Sequence, residues 1–262
     1  MTTDNKEKQH QEKFVWSRSA FHSEYNSYLA QYKVESCLDN IRGNTLLDLA
    51  CGDGMMTQMF AQKMKRVVGV DANGDHLGEA KKRLPDSEFH ESLIEDLELS
   101  EKFDTVTMLD LLEHVVDPVE LLKKAASFLE DDGVLIIHVP NAMAINRRLA
   151  VLMGTLKDCE ELSPFDLEIA GHRRSYSMKT LSADIEKAGL QLVKTGGIFY
   201  KMLSTAQIDW FLKNGLWEDG GFGWGRVGGD QKNWKEQFCR ASYELGKQHP
   251  EDCNIIYACI TR

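Results

Sequence analysis

A chain of 262 residues with ordinary hydrophobic and charged fractions has room for one large α/β domain, or for two small ones, each with its own core. Its formal net charge of -10 opposes nonspecific binding to nucleic acid or to an anionic membrane, both of which need clustered Lys and Arg. The polar start of the chain lacks the apolar stretch of a secretory signal, and Val134-Leu135-Ile136-Ile137 is far too short to span a bilayer.

The first dozen residues are charged and expected to be disordered. From Phe14 to Leu38 an amphipathic, aromatic-rich pattern predicts one or two helices ahead of the main domain, so that residues 1–40 form an N-terminal helical segment. Short apolar runs then alternate with segments of helical period, which predicts a parallel sheet covered by helices. Strands are expected at 45–50, 66–70, 88–92, 103–109, 134–139, 190–195 and 254–260. Between them, 54–65 carries an apolar helical face, and Leu77, Ala80 and Leu84 mark a helix stopped by Pro85. Asp117-Pro118-Val119-Glu120 has the residues of a capped helix start, and 177–188 is a helix closed by Gly189. Residues 141–176 and 199–253 break the alternation. They are expected to cap the carboxyl ends of the strands, around a main domain of residues 41–198 and 254–262. The six cysteines show no CxxC pair, which fits free thiols in a reducing cytoplasm better than zinc or disulfides.

The chemistry begins at Leu47-Asp48-Leu49-Ala50-Cys51-Gly52-Asp53-Gly54, where a strand ends in two glycines one residue apart and a helix starts at once. Glycines admit φ values closed to other residues and let a ligand approach the backbone. Free N–H groups at the helix start favour the negative end of that ligand. Seventeen residues past Gly54 the second strand ends at Asp71. An acid at that place accepts hydrogen bonds from both hydroxyls of a ribose, so the pair implies an adenosine-containing cofactor. A dinucleotide fingerprint would put a third glycine where Thr57 stands, and the Gly-Lys-Ser/Thr of a triphosphate loop is absent.

The glycine motif, the run Val67-Val68-Gly69-Val70-Asp71 and the run from Phe103 through Asp110-Leu111-Leu112-Glu113-His114 to Pro118 resemble motifs of class I S-adenosylmethionine-dependent methyltransferases. The likeness lies in the branch with ubiquinone-pathway O-methyltransferases and many antibiotic and sugar methyltransferases. It covers 46–139 well and 181–195 more loosely. The resemblance implies a Rossmann-like fold, a seven-stranded, mostly parallel sheet with a final antiparallel strand, and helical lid insertions. It implies S-adenosylmethionine as cofactor and S-adenosylhomocysteine as product. Asp48, Ala50, Gly52 and Gly54 would surround the methionine part of the cofactor, and Asp71 and Ala72 would hold the ribose. Leu93 and Ile94 would flank the adenine, with Glu95 or Asp96 near its amino group; the family often has an acid where Leu93 stands. Asp110 and Leu111 would lie beside the sulfonium and the adenosine, and Tyr25 or Tyr28 would close over the cofactor from the lid.

Methyl transfer from a sulfonium is an in-line displacement, so the protein mainly positions the acceptor and excludes water. A hydroxyl acceptor also benefits from a base, and the candidates are His172 and His114. In similar enzymes His114 orients its loop; His172 stands in the first long insertion, where functional polar residues concentrate. The spacing of Glu113, His114, His138 and His172 does not identify a metal site, so no metal is expected. Arg147, Arg173, Arg174 and Tyr176 are candidate acceptor contacts, since a guanidinium fork suits a carboxylate, phosphate or phosphonate. Alternatively these arginines pair with Asp158, Glu160, Glu161, Asp166 and Glu168 of the same segment. The expected function is methyl transfer to a small molecule, foremost to oxygen, with an anionic acceptor. N- or C-methylation, another enzyme on the same cofactor site and a non-catalytic binding protein are the alternatives. A cytoplasmic monomer or homodimer is expected, without nucleic-acid or membrane partners.

Overall fold

Apolar runs of five to twelve residues supply most of the strands. In the computed structural model, which describes residues 23–215 and 233–262, these are β1 (Thr45–Leu49), β2 (Arg66–Asp71), β3 (Glu88–Glu91), β4 (Phe103–Leu109), β5 (Leu129–Pro140), β6 (Gln191–Tyr200) and β7 (Cys253–Thr261). They form one seven-stranded sheet in the order β3-β2-β1-β4-β5-β7-β6. β1 pairs in parallel with β2 and β4, β2 with β3, and β4 with β5. β7, the last strand of the chain, lies antiparallel between β5 and β6. This is the mostly parallel sheet with a final antiparallel strand that the sequence leads one to expect. The strand order reverses between β1 and β4, which opens a crevice at their carboxyl ends.

The helices are α1 (Glu24–Leu38), α2 (Met55–Ala61), α3 (Gly74–Arg83), α4 (Pro118–Ser127), α5 (Ile145–Leu152), α6 (Met178–Lys187), α7 (Thr205–Asn214) and α8 (Trp234–Gln248). Local chemistry sets their starts. The Asp117 carboxylate accepts from the N–H groups of Val119 and Glu120, with Pro118 at the first turn of α4. Ser177 and Thr180 form a reciprocal capping box on α6, and Gly189 follows that helix at φ 76°.

Side chains alternate across the strands and build a core on each face. Leu47, Leu49, Val106 and Met108 point to the face covered by α4 and α6. Leu46, Val67, Leu109 and Ile136 point to the other face, against Phe60 of α2 and Val34 of α1. Each such buried side chain stabilises the fold by about 1.5–3 kcal/mol. A third cluster joins Tyr25, Leu29 and Tyr32 of α1 to Phe199, to Leu212 of α7 and to Tyr243 of α8.

Several boundaries differ from expectation. β6 runs on through Gly196 and Gly197 to Tyr200, because a Cβ at Gly196 would meet the Tyr257 ring at 2.4 Å and one at Gly197 the Pro250 carbonyl oxygen at 2.5 Å. β5 begins at Leu129 rather than Val134, paired to Phe103 across an irregularity. α2 stops at Ala61 rather than Lys65. The segment 141–176 contains α5 and a π-helical turn, Phe165–Ala170, and is closed at its base where Asn141 bridges Tyr176. The segment 199–253 contributes α7 and α8. Residues 1–22, with the predicted disorder and with Phe14, Trp16 and Phe21, and the cluster Trp217 to Gly225 lie outside the described residues. No helix among the described residues is long and apolar enough to cross a membrane.

Candidate active site

The turn after β1 is built as the glycines demand. Ala50, Gly52 and Gly54 have φ of 60°, 57° and 75°. A Cβ on Gly52 would meet nothing within 4 Å, which leaves open space in front of the backbone. A Cβ on Gly54 would meet that of Ala80 in α3 at 2.9 Å, so this glycine also lets two helices approach. Asp71 ends β2 beside the turn. One of its oxygens accepts from the Gly52 N–H at 2.9 Å and the other from the Asn73 N–H at 2.9 Å. His76 Nδ1 lies 3.7 Å from the same carboxylate, which raises the pKa of the imidazole. An acid held against a glycine turn with free space before it suits the hydroxyls of a ribose.

The structure gives Asp48 a different place from the one expected. It is buried, and its two oxygens accept from the hydroxyls of Thr57 at 2.7 Å and Thr107 at 2.8 Å. Burial still pushes its pKa up to about 6. Asp48 therefore anchors the turn from inside, and Thr57, where a third glycine was absent, is its partner. Ile94 is corrected likewise: its side chain belongs to the core under the sheet with Val70 and Leu97. Leu93 is half-buried just past the carboxyl end of β3, with Glu95 and Asp96 exposed beside it.

Asp110 follows β4 at φ 54°. Its side chain pairs with Lys33 of α1, so that helix is tied to the loop next to the crevice. Neighbouring Leu111 packs half-buried against the core. Of the two candidate tyrosines of α1, Tyr25 is fully buried edge-on to Phe199, and Tyr28 is half-buried on the same cluster.

The loop after β4 meets the first insertion at Glu113, His114 and His172. The two imidazoles lie 4.9 Å apart between centroids, edge to face. Ring Nδ1 of His172 is 3.2 Å from Asp166. Burial, then the neighbouring His172, pull the pKa of His114 down to about 4. Glu113 is 1% exposed, and neither of its carboxylate oxygens has a hydrogen-bond partner. Burial and the charge of Asp110 push its carboxyl well above the usual carboxylate range. For Asp166 burial acts upward, but hydrogen bonds from His172 and Ser163 win and hold its carboxyl well below that range. Glu113, Asp166 and His172 line one small cavity with Asn141, Arg147 and Arg174. The ligand atoms of Glu113, His114 and His172 lie within 4.8 Å of one another, a donor set able to hold a divalent cation.

The arginines, including Arg147 and Arg174 on that cavity, are bonded to protein groups. Arg174 donates to the carbonyl oxygens of Leu112 at 3.0 Å, Val115 at 2.5 Å and Val116 at 3.0 Å. Arg173 donates to the His114 carbonyl at 2.7 Å. Neither the acceptor clamp nor the surface pairing anticipated these bonds, which stitch the insertion to the loop carrying Glu113 and His114. Arg147 follows the pairing alternative: it bonds Asp166 at 3.2 Å and the carbonyls of Cys159 and Glu161. Tyr176 is corrected outright, being buried in the core with its hydroxyl donating to Asp184 at 3.1 Å. Sequence reasoning missed Lys33 and the role of Asp166. A lysine on an otherwise apolar helix face was the available signal for the first; nothing local marked the second.

The chain matches the family model described as a methyltransferase domain over residues 21–195. It is 31% identical over 139 residues to the ubiquinone biosynthesis O-methyltransferase of Haemophilus ducreyi, covering 49% of this chain and 57% of that one. It is 27% identical over 171 residues to the protein of the same name from Coxiella burnetii, covering 62% and 70%. The chain thus spans little more than half the length of the first of these curated relatives. Among solved structures it is similar to a methyltransferase from Archaeoglobus fulgidus, with a TM-score of 0.57 at 15% identity over 94% of this chain and 97% of that one. It is also similar to a Thermotoga maritima protein described as a possible histamine N-methyltransferase, with a TM-score of 0.58 at 16% identity over 90% of each chain. At such identities these structures speak for the fold alone.

Proposed function

Since the chain belongs to the methyltransferase-domain family, with S-adenosylmethionine as cofactor, we propose that it transfers the methyl group to an oxygen of a small-molecule acceptor. One observation carries the reading to oxygen: His172, held through Nδ1 by Asp166, stands beside His114 and Glu113 where the loop after β4 meets the first insertion. The O-methyltransferase name of the bacterial relatives supports it.

The cofactor supplies an electrophilic methyl group and a neutral leaving sulfur. The rest falls to the protein. The turn at Ala50, Gly52 and Gly54 borders the methionine part, and the carboxylate of Asp71 holds the ribose. Asp110 and Leu111 border the reacting end. With Nδ1 facing Asp166, Nε2 of His172 is left to accept the proton of the acceptor hydroxyl, and Asp166 stabilises the imidazolium that forms. His114, neutral at pH 7, orients the loop. α1 and the helices of 199–253 close the site as a lid. Ser23 and the Tyr25 N–H bind Asp209 of α7, and Lys235 of α8 bonds Glu24, which supports that arrangement. A reducing cytoplasm fits the free cysteines.

Acceptors screened with methyl-labelled cofactor test the proposal. His172→Ala should lower kcat by about 100-fold, the usual worth of a general base, with little change in cofactor affinity. An unchanged kcat on a hydroxyl acceptor would remove His172 from the chemistry. A second reading is favoured by the buried carboxylate of Glu113, which has no hydrogen bond and lies 3.9 Å from His114 Nε2: a divalent cation on Glu113, His114 and His172 would hold the acceptor oxygen. Activity lost on chelation and restored by Mg²⁺ or Mn²⁺ would select it, and chelator-insensitive activity would leave the proton-transfer reading.

A further inference from the structure

Among the described residues, three non-glycine residues have φ in the left-handed region: Ala50, Asp110 and Phe199. The first two directly follow β1 and β4, at the crevice. A bulky aromatic in that region is strained, and such strain gathers at functional sites. Phe199 lies near the end of β6. β6 runs parallel to β5, since both are antiparallel to β7, so its carboxyl end reaches the same edge of the sheet.

Two residues beyond Phe199 stands Lys201, only 4% exposed. Its Nζ donates to the Thr205 hydroxyl at 3.0 Å and lies 4.7 Å from the centroid of the Tyr25 ring. Among the described residues no carboxylate pairs with it. The nearby acids are otherwise occupied: Asp209 accepts from Ser23 and from the Tyr25 backbone, and Asp110 is paired with Lys33. The hydroxyl of Tyr25 is fully buried and has no partner. A buried ammonium held by a hydroxyl and a ring face has no carboxylate in direct contact, Asp209 acting on it only from a distance, and an unpartnered phenol beside it is a second site of unmet hydrogen bonding.

We propose that Lys201 and Tyr25 form the subsite that receives an anionic oxygen group of the methyl acceptor, a carboxylate foremost, beneath α1. This rests on the methyltransferase reading and supplies a cation for an anionic acceptor, the arginines being bonded to protein groups. Lys201 is then a specificity-determining residue rather than a proton carrier. Burial pulls its pKa down to about 8, with Asp209 acting upward and Lys33 downward. A bound anion would raise it again by favouring the charged form.

The test uses the whole enzyme, with benzoate as the probe and benzamide as its neutral counterpart, each with and without S-adenosylhomocysteine. Lysine side-chain NMR, with the Lys201 signal assigned through Lys201→Arg, reads the site directly in the unaltered protein. Benzoate should shift that signal and raise its titration midpoint, and benzamide should do neither. Lys201→Met should weaken benzoate binding at least tenfold and leave S-adenosylhomocysteine affinity within twofold; Lys201→Arg should retain most of it. No response of the Lys201 signal to benzoate, or equal benzoate binding by Lys201→Met, would overturn the proposal. A loss of S-adenosylhomocysteine affinity in Lys201→Met would overturn it too, by assigning the lysine to the cofactor carboxylate. Failure of S-adenosylhomocysteine to bind the unaltered enzyme, with the benzoate response intact, would count against the methyltransferase reading while upholding the subsite.

Discussion

Asp48 carries the largest charge cost in the turn. Two threonine hydroxyls bond its carboxylate, yet burial raises its pKa to about 6, against about 4 in an unfolded chain. Between those values the folded protein keeps a proton that the unfolded chain has released. Stability therefore falls as pH rises from about 4 to about 6, by about 2–3 kcal/mol from this residue, and is level above. Asp48→Asn abolishes the titration, so its stability relative to the native sequence should climb by that amount over the same window. Urea unfolding at pH 4 and pH 7 measures it, and parallel pH curves for the two proteins would refute the assignment. The sequence showed Asp48 beside the glycines but not which way it faced. An inward side chain next to an outward turn is settled by strand alternation, and the partners Thr57 and Thr107 come from two different elements.

At the scale of elements, the loop after β4 owes its shape to the insertion. Arg174 bonds three of its carbonyl oxygens and Arg173 a fourth. Arg174→Met should destabilise the protein by about 1–2 kcal/mol, the cost of losing hydrogen bonds from a charged group to partly buried carbonyls. Because that loop presents Glu113 and His114, the variant should lose kcat while the acceptor KM stays nearly constant. A steep rise in KM with kcat unchanged would restore the arginine clamp. The strands, the Asp117 cap, the Gly189 stop and the glycine turn were legible because each rests on neighbours in sequence. The insertion was not: Arg174 meets Leu112 sixty-two residues away, and a cluster of cations reads the same whether it awaits an anion or holds carbonyl groups. The full length of β6 was hidden for a related reason. Gly196 and Gly197 look like a break, whereas they make room for Tyr257 and Pro250.

The whole molecule divides the labour along one sheet edge. The turn after β1 and the end of β2 meet at the crevice, the loop after β4 and the first insertion bring Glu113, His114 and His172 together, and β6 delivers Lys201 against Tyr25 of α1. The parallel strands hold these pieces in register because their side chains are locked into cores on both faces. Everything depends on the glycine turn and Asp71 being an adenosine site for S-adenosylmethionine. Titration calorimetry with S-adenosylhomocysteine tests that most directly. The native protein should bind it, and Asp71→Ala should weaken binding by about 1–3 kcal/mol, as expected for a lost charged acceptor. Tight binding of NADH with no heat from S-adenosylhomocysteine or S-adenosylmethionine would contradict it.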